Sequence, residues 1–406
     1  MAVVVAVTAV STAQTPSLLR SLPIAQHGLV EPLLLLGLIL WLRPGWAGVV
    51  VLLGAMGASV ALASIFSLTR MLLRVAQTLA AFEAERTQLS RLVYYNVGIF
   101  GDLLTMALPL LLAWLLLRRQ WPHSRLWTAL AGAAIAISIG CVYLTFSKSA
   151  WLGSIIACAG MLIVTTGDWR RRGAIVVISA ALISFVIPYP AVLLRAVSPG
   201  MAATYNQIVN NVNSRADTID PNSPEGEVSV TERLYASEAA LRMAADHPLI
   251  GVGPGSFAAA YQSTYRRAGA TRALDSAHDL LPYLAAEFGL IVAAIVALGL
   301  LTAVLFAAQV YLRAPPEDQF ARIGSAAVGA AIIGFVIVAT TFGVDLYRPY
   351  RLMNSDVMFA SALVAVGLLL PGTIAGRTPG SEAAGPRDAV PPPGRVGHHG
   401  GGWISA

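Results

Sequence analysis

Cationic side chains and a candidate base gather in one hydrophilic stretch of the chain. Arg233 lies among good helix formers, and His247 stands just before a Gly-rich break. His278 follows where the next apolar run begins, with Glu287 two turns inside that run. An imidazole accepts a proton near neutral pH, and fixed positive charges stabilise negative charge that develops during a reaction. The pattern favours a transfer reaction that uses these side chains.

The motifs of metal- and nucleotide-dependent chemistry are missing from the sequence. It has no GxxxxGK[ST] phosphate loop, no Asp-x-Asp pair for a metal-bound nucleotide sugar, and no His, Cys or carboxylate cluster with zinc spacing. Nucleophile-elbow and HExxH signatures are missing too. We therefore predict no cofactor and no metal, and we interpret the adjacent His398 and His399 as part of a solvated tail.

Two further groups of charged residues lie between apolar runs. Lys148, the only lysine among 27 basic residues, occupies a tight turn. Asp345, Arg348 and Arg351 lie between the last two apolar runs. Both groups are candidates for holding an anionic substrate. The alternatives are ordinary membrane roles, with Lys148 extending its charge to the interface and the arginines anchored on lipid phosphates.

Structural roles are the alternatives for the first set of candidates. His278 is also placed to cap a helix, and Arg233 to pair with a glutamate of its own helix. His247 precedes a proline and glycines, which favours turn structure over chemistry. Glu287 would be costly inside a span without a partner. It either orients His278 or, as its distance along the helix favours, pairs with another helix.

Three glycines follow His247 at every second position. Gly251, Gly253 and Gly255 are expected to permit sharp turns. Backbone N–H groups exposed by such turns would also suit a phosphate, which is the alternative interpretation.

Composition places the chain in a membrane. Of its 406 residues, 56% are apolar and 12% are charged, whereas an ordinary soluble protein is roughly a quarter charged. The net charge of +6 does not indicate nucleic-acid binding, because the basic residues sit in short clusters between apolar runs. Cys141 and Cys158 lie inside apolar stretches and are expected to be packing residues.

The apolar runs predict an all-α fold, a polytopic bundle of about ten transmembrane helices. Spans are expected near 29–42, 46–67, 95–117, 126–145, 150–167, 174–194, 280–308, 323–344 and 355–371. The apolar segment from Met1 to Val10 is shorter than the roughly 20 residues of a crossing. It is either a stub helix or the remainder of a truncated start.

Basic residues on alternate connections set the predicted orientation. Five connections carry them and fall on one side, which the positive-inside rule makes cytoplasmic: Arg43, Arg118 to Arg125, Arg170 to Arg172, Arg313 with Arg322, and Arg377. The other side then carries the candidate residues and the 68–94 segment. That segment reads as an amphipathic helix, either on the membrane surface or packed on the bundle.

Four regions follow from these spans. We predict N-terminal transmembrane helices over 1–194, a long periplasmic loop with short helices over 195–279, C-terminal transmembrane helices over 280–371, and a disordered cytoplasmic tail over 372–406. Within the loop, good helix formers predict a helix from Thr231 to Ala245.

The ordered motifs resemble the O-antigen ligase and O-antigen polymerase superfamily. The resemblance rests on Arg233 followed by an aromatic residue, the series His-Pro-Leu-x-Gly-x-Gly-x-Gly-x-Phe at 247–257, and His278 followed by Glu-x-Gly at 287–289. A Ser-Lys-Ser-Ala-Trp turn at 147–151 and a Gly-x-Phe-Gly-Asp stretch at 98–102 look like further family positions. With the hydropathy profile, the resemblance covers about 29–371.

The resemblance implies a glycosyltransferase in the bacterial inner (cytoplasmic) membrane with its active site facing the periplasm. It would move a glycan from undecaprenyl diphosphate to a hydroxyl of an acceptor glycan, a lipid A core or a protein, with inversion and without metal. His278 would be the catalytic base. The diphosphate-binding residues would be Arg233, Lys148, Arg348 and Arg351. The supporting residues would be Glu287, His247 and Asp345.

Two positions depart from the family pattern. Lys148 stands where an arginine is usual, so bidentate phosphate contact is lost there. Asp279 follows His278 where an amide is more frequent, so a carboxylate neighbours the expected base. Both departures put the phosphate geometry in question.

Two other classes of protein compete with a transferase. A flippase for lipid-linked glycans would carry charged residues deep in several spans and internal repeats, and the sequence has no convincing repeat. A non-catalytic scaffold would leave the clustering of basic residues, histidine and glycine unexplained.

Overall fold

The computed structural model describes residues 2–15, 18–77, 97–117, 124–144, 147–186, 230–267, 279–341 and 355–375, with residues 270, 274, 276 and 277. These residues are almost all helical, and they include no strand. The predicted all-α class is therefore confirmed. The helices are α1 (Ala2–Ala13), α2 (Leu18–Ala25), α3 (Glu31–Leu42), α4 (Trp46–Gln77), α5 (Val97–Leu116), α6 (Ser124–Leu144), α7 (Lys148–Thr165), α8 (Trp169–Val186), α9 (Val230–Asp246), α10 (Phe257–Ala260), α11 (Leu280–Phe288), α12 (Leu290–Arg313), α13 (Gln319–Thr341) and α14 (Ser355–Ala375).

Five of the described segments are long and apolar enough to cross a membrane. They are Ser21–Leu42, Trp46–Thr69, Arg125–Tyr143, Leu290–Arg313 and Gln319–Thr340. The first of these runs without interruption through a π-helical turn, Gln26–Val30, that joins α2 to α3. The protein is a membrane protein, and the count of about ten crossings stays a prediction.

Helix α13 is the centre of the bundle. Of its apolar window 61% is buried, compared with 22–33% for the other four candidate spans. It packs on α5, α7, α12 and α14. Glycine lets α7 approach it closely, because a Cβ on Gly153 would lie 2.8 Å from Val338 Cγ2 and 3.1 Å from the Gly334 carbonyl oxygen.

The helix ends next to four of the predicted basic connections lie at the same end of this bundle. Residues from the α3–α4, α5–α6 and α12–α13 ends share one cleft, to which Trp46, Leu117 and Phe320 contribute. The α7–α8 connection joins them, since the Tyr311 hydroxyl donates to the Val164 carbonyl at the end of α7. The alternation of the basic connections therefore agrees with the packing of the helices. We call this the basic end.

Three predicted boundaries are wrong. Helix α4 continues without a break past residue 68 to Gln77, so no separate helix begins there; residues 78–96 lie outside the described part. The run predicted as one span over 280–308 divides at Gly289, whose φ of +89° ends α11 and starts α12. Helix α14 contains Pro371 and extends to Ala375.

Candidate active site

The Gly-rich break after α9 folds as a tight turn over the end of α11. Its glycines 251, 253 and 255 have φ of +66°, +98° and +74°, so the expectation of sharp turns is confirmed. The turn lies on the α11–α12 junction: Val252 N–H donates to the Ala286 carbonyl at 2.7 Å, and Leu290 N–H donates to the Pro248 carbonyl at 2.8 Å. The motif and the helix break are one packed unit.

The Glu287 side chain stabilises this turn through hydrogen bonds. Its side chain is fully buried at the end of α11. One carboxylate oxygen accepts the N–H of Gly255 at 2.9 Å, and the other accepts the N–H of Phe257, the first residue of α10, at 3.1 Å. A buried carboxylate needs such charge-assisted hydrogen bonds. Glu287 therefore pairs with another element, as its position on the helix favoured.

The N–H groups of the turn are used inside the protein. Gly251 N–H donates to the His247 carbonyl at 3.0 Å, and Gly253 N–H donates to the Glu287 carbonyl at 3.1 Å. Those of Val252, Gly255 and Phe257 are taken up by the contacts above, and that of Ser256 by the Gly253 carbonyl. The interpretation of this turn as a phosphate cradle is therefore wrong.

The N-terminal helix α1 also packs against the turn. The Ser11 hydroxyl lies 2.7 Å from the Ile250 carbonyl oxygen and 3.0 Å from the Glu287 carbonyl oxygen. A Cβ on Gly253 would lie 2.2 Å from Thr15 Cγ2. The apolar stub is thus a 12-residue helix that supports the motif. Sequence reasoning missed this role, because nothing in the spacing of Ser11 distinguishes it from other small residues of α1.

His247 contributes to the turn through its backbone. Its N–H donates to the Met243 carbonyl at 2.9 Å and its carbonyl accepts from Gly251, while the residue is exposed. Nearby, the Tyr265 hydroxyl donates to the Asp246 carboxylate at 2.7 Å. Burial and this carboxylate raise the pKa of Tyr265. Turn structure, the favoured role of His247, agrees with these contacts.

Helix α9 anchors the chain on both sides of position 278. The Ser237 hydroxyl contacts the Ala277 carbonyl oxygen at 3.2 Å and hydrogen-bonds to the Asp279 carboxylate. Asp279 is also the N-cap residue of α11, whose Tyr283 N–H donates to its carbonyl at 2.9 Å. Arg233 lies one helical turn before Ser237 in α9. The departure at Asp279 thus supplies a link to the helix that carries Arg233.

Sequence reasoning also missed a charged cluster on α9. Glu238 accepts from Arg242 at 2.5 Å and from Arg267 at 3.0 Å. The Arg267 guanidinium lies 5.0 Å from the centre of the Tyr235 ring. In the sequence, the adjacent Arg266 and Arg267 were the feature that could have indicated this cluster. Since Glu238 is bridged by these two arginines, it has partners other than Arg233.

The turn before α7 is pinned by a tryptophan. The Trp151 indole N–H donates to the Val142 carbonyl at 2.8 Å, and its ring stacks on Tyr143 with centroids 5.6 Å apart. Ser147 is the N-cap of α7, its hydroxyl accepting the Ala150 N–H at 3.4 Å. Lys148 is therefore the first residue of a rigidly started helix.

Residues 133–297 match the O-antigen ligase family. This match covers less than half of the chain and supports its resemblance to the O-antigen ligase superfamily. The matched segment runs from α6 into α12 and contains the turn before α7, helix α9, the glycine turn and α11. No curated protein matches the chain.

The O-antigen ligase segment contains the main candidate residues. The backbones of Lys148 and Arg233 are helical. His278 lies outside the described residues, as do Asp345, Arg348 and Arg351, which follow the matched segment. Among the candidates whose side chains the structure describes, Glu287 and His247 are the two joined by the glycine turn.

We expect Gly251→Ala to disrupt the O-antigen ligase turn. A Cβ there would lie 2.4 Å from the Glu287 carbonyl carbon and 2.5 Å from the Ala286 carbonyl oxygen, at a φ of +66°. Backbone strain and overpacking together cost about 2–5 kcal/mol. Fluorescence-detected melting in detergent should show a large fall in Tm. Gly132→Ala is the matched control, because nothing lies within 4 Å of its Cβ position; equal melting of the two variants would contradict the expectation.

Proposed function

We propose that the protein transfers a glycan from undecaprenyl diphosphate to an acceptor hydroxyl at the periplasmic face of the bacterial inner membrane. The observation that carries the proposal is the double contact of Ser237 with Ala277 and Asp279, which ties both neighbours of His278 to α9. The described residues on both sides of the candidate base are thereby held on α9, the helix that carries the candidate cation Arg233. The match of residues 133–297 to the O-antigen ligase family supports the same class of reaction.

In the proposed reaction the acceptor oxygen attacks the anomeric carbon of the donor sugar. The bond from that carbon to the diphosphate oxygen breaks, and undecaprenyl diphosphate leaves with the bonding electrons. His278 takes the proton of the acceptor hydroxyl, and the anomeric centre inverts. Arg233 and Lys148, with Arg348 and Arg351, stabilise the charge that grows on the diphosphate. These residues supply the charge and base, so the step is proposed without a metal.

The buried charges favour a transferase over a transporter of lipid-linked glycans. Among the described residues, the buried charged side chains are Asp102 and Glu287. Glu287 is committed to the glycine turn. A transporter would carry ionisable groups along a path through several helices. The two candidate cations with a described backbone, Lys148 and Arg233, instead lie in the first turns of α7 and α9.

The test is reconstitution of the purified protein in vesicles with a lipid-linked glycan and candidate acceptors. A covalent glycan–acceptor product, detected by mass spectrometry, is the expected result. Movement of the lipid-linked glycan across the bilayer without such a product would support the transporter. If neither a product nor movement is detected, the result would support a scaffold. Lipid A core, a second glycan and a protein are offered separately, because the acceptor sets the biological role.

We expect Lys148→Arg to retain activity and Lys148→Ala to lose most of it. Arginine restores the family's usual residue and its planar guanidinium can bind phosphate in a bidentate way, whereas alanine removes the charge. Initial rates of transfer in the same vesicles measure the effect, with circular dichroism as the folding control. Full activity of Lys148→Ala would remove this residue from the diphosphate site.

A further inference from the structure

An apolar cleft opens at the basic end of the bundle, away from the glycine turn. It is a groove that is open on one side, and its empty space is about 540 Å³ when the open mouth is included. It lies between the starts of α4 and α13 and the end of α5. We call it the basic-end cleft and define it by Trp46, Gly54, Gly57, Trp114, Phe320 and Gly324.

Glycines make room for this cleft. A Cβ on Gly324 would meet the Trp46 ring at 3.6 Å, and one on Gly57 would meet Leu111 at 3.5 Å, both ordinary contact distances. A Cβ on Gly54 would lie 3.0 Å from the Trp114 ring. Larger residues at these positions would fill the space, so the cleft exists because the side chains are missing there.

The apolar walls and the adjacent bilayer indicate which molecule can occupy the cleft. Its walls come from two candidate spans, Trp46–Thr69 and Gln319–Thr340, and from the apolar helix Phe100–Leu116. Apart from the indole groups of Trp46 and Trp114, the lining side chains are apolar, so the groove offers water few hydrogen-bond partners. In a bilayer the adjacent medium is hydrocarbon. An acyl chain is therefore the occupant that the walls accept.

Arginines follow or precede the lining of every wall. Arg43 is exposed just before Trp46, Arg118 and Arg119 follow Leu117 in sequence, and Arg322 comes two residues after Phe320. One guanidinium N–H of Arg322 is used by the Tyr311 hydroxyl at 3.2 Å. The acidic residues that the structure describes at this end are Asp168, Glu317 and Asp318. Asp168 pairs with Arg171 at 3.7 Å, and Asp318 caps α13 by accepting the Ala321 N–H at 3.0 Å.

We propose that the basic-end cleft binds one anionic phospholipid. Its acyl chain lies between Trp46, Trp114 and Gly324, and its phosphate lies near Arg43 and Arg322, the two described arginines next to the lining. Basic pockets between helices at the cytoplasmic side of membrane proteins bind anionic headgroups in this way. The site is separate from the proposed donor site and does not depend on the transfer reaction. Bound lipid would brace α4, α5 and α13, the last of which is the centre of the bundle.

The test is native mass spectrometry of the purified full chain after incubation with equal amounts of phosphatidylglycerol and phosphatidylethanolamine. We expect the wild-type protein to retain one phosphatidylglycerol. Gly324→Leu, which fills the cleft, should lose it. Gly299→Leu should keep it, because this glycine of α12 has nothing within 4 Å of its Cβ position. Equal retention by the two variants, or wild-type retention of phosphatidylethanolamine or a polyprenyl lipid instead, would overturn the proposal.

A second variant tests the headgroup without filling the cleft. Arg43 adopts the left-handed conformation with φ of 44°, which asparagine also tolerates, so Arg43→Asn keeps the backbone. Removing one arginine near an anionic headgroup should reduce the preference for phosphatidylglycerol about fivefold. An unchanged preference would show that Arg43 does not bind the headgroup and would contradict the proposed placement of the phosphate.

Discussion

We expect the His278→Ala protein to insert into the membrane and to transfer glycan about 10²–10⁴-fold more slowly than wild type, the contribution typical of a general base. Without the imidazole, the acceptor hydroxyl must lose its proton to water as it attacks. The loss should appear in the rate constant for transfer at saturating donor. Retention of the lipid-linked glycan by the variant would place the defect in the chemical step and not in binding.

His247→Ala is the matched control that distinguishes a catalytic role of His278 from a structural one. His247 lies in the same motif, but its contacts to Met243 and Gly251 use backbone atoms, which alanine keeps. His247→Ala should therefore melt and react like wild type. Full activity of His278→Ala in purified membranes would refute the assignment of the base. A fall in Tm of His278→Ala beyond that of His247→Ala would point to a structural role.

Periodicity and composition were enough to predict the helices of the bundle. The run from Thr231 to Ala245 predicted α9 to within a residue or two at each end. Most apolar runs became helices because a bilayer forces backbone groups to pair within one segment. The division at Gly289 could not be read in the same way, since glycine is tolerated inside membrane helices. The packing of Leu290 N–H on the Pro248 carbonyl shows why the chain breaks there.

The site was harder to predict because its supports are distant in sequence. Glycines 251, 253 and 255 signalled turns by their type alone. Ser11 and Glu287 meet across most of the chain, and only the fold brings α1 to α11. Ser237 likewise carries no signal in sequence, although it fixes both neighbours of position 278. Residue type identifies candidate chemistry, whereas tertiary packing determines what holds it.

We expect Glu287→Ala to destabilise the folded motif strongly. Its carboxylate makes two charge-assisted hydrogen bonds inside the protein, to Gly255 N–H and Phe257 N–H. Each is worth roughly 1.5–3 kcal/mol. Removing both leaves two N–H groups without this acceptor and opens a cavity, so the folded state should lose about 3 kcal/mol or more. The stability of Glu287→Gln should lie between that of the wild type and that of Glu287→Ala, because an amide offers one acceptor oxygen and turns an N–H group toward the second donor.

The measurement is the Tm in detergent together with protease cleavage between residues 247 and 257. Glu238→Gln is the matched control: its carboxylate also has two partners, Arg242 and Arg267, but it is 38% exposed. Solvent screens such pairs, so the control should lose no more than about 1 kcal/mol. If Glu287→Ala melted with the control, the carboxylate would not be holding the turn. The anchoring of the motif would then depend on Ser11 and on the backbone contacts of Val252 and Leu290.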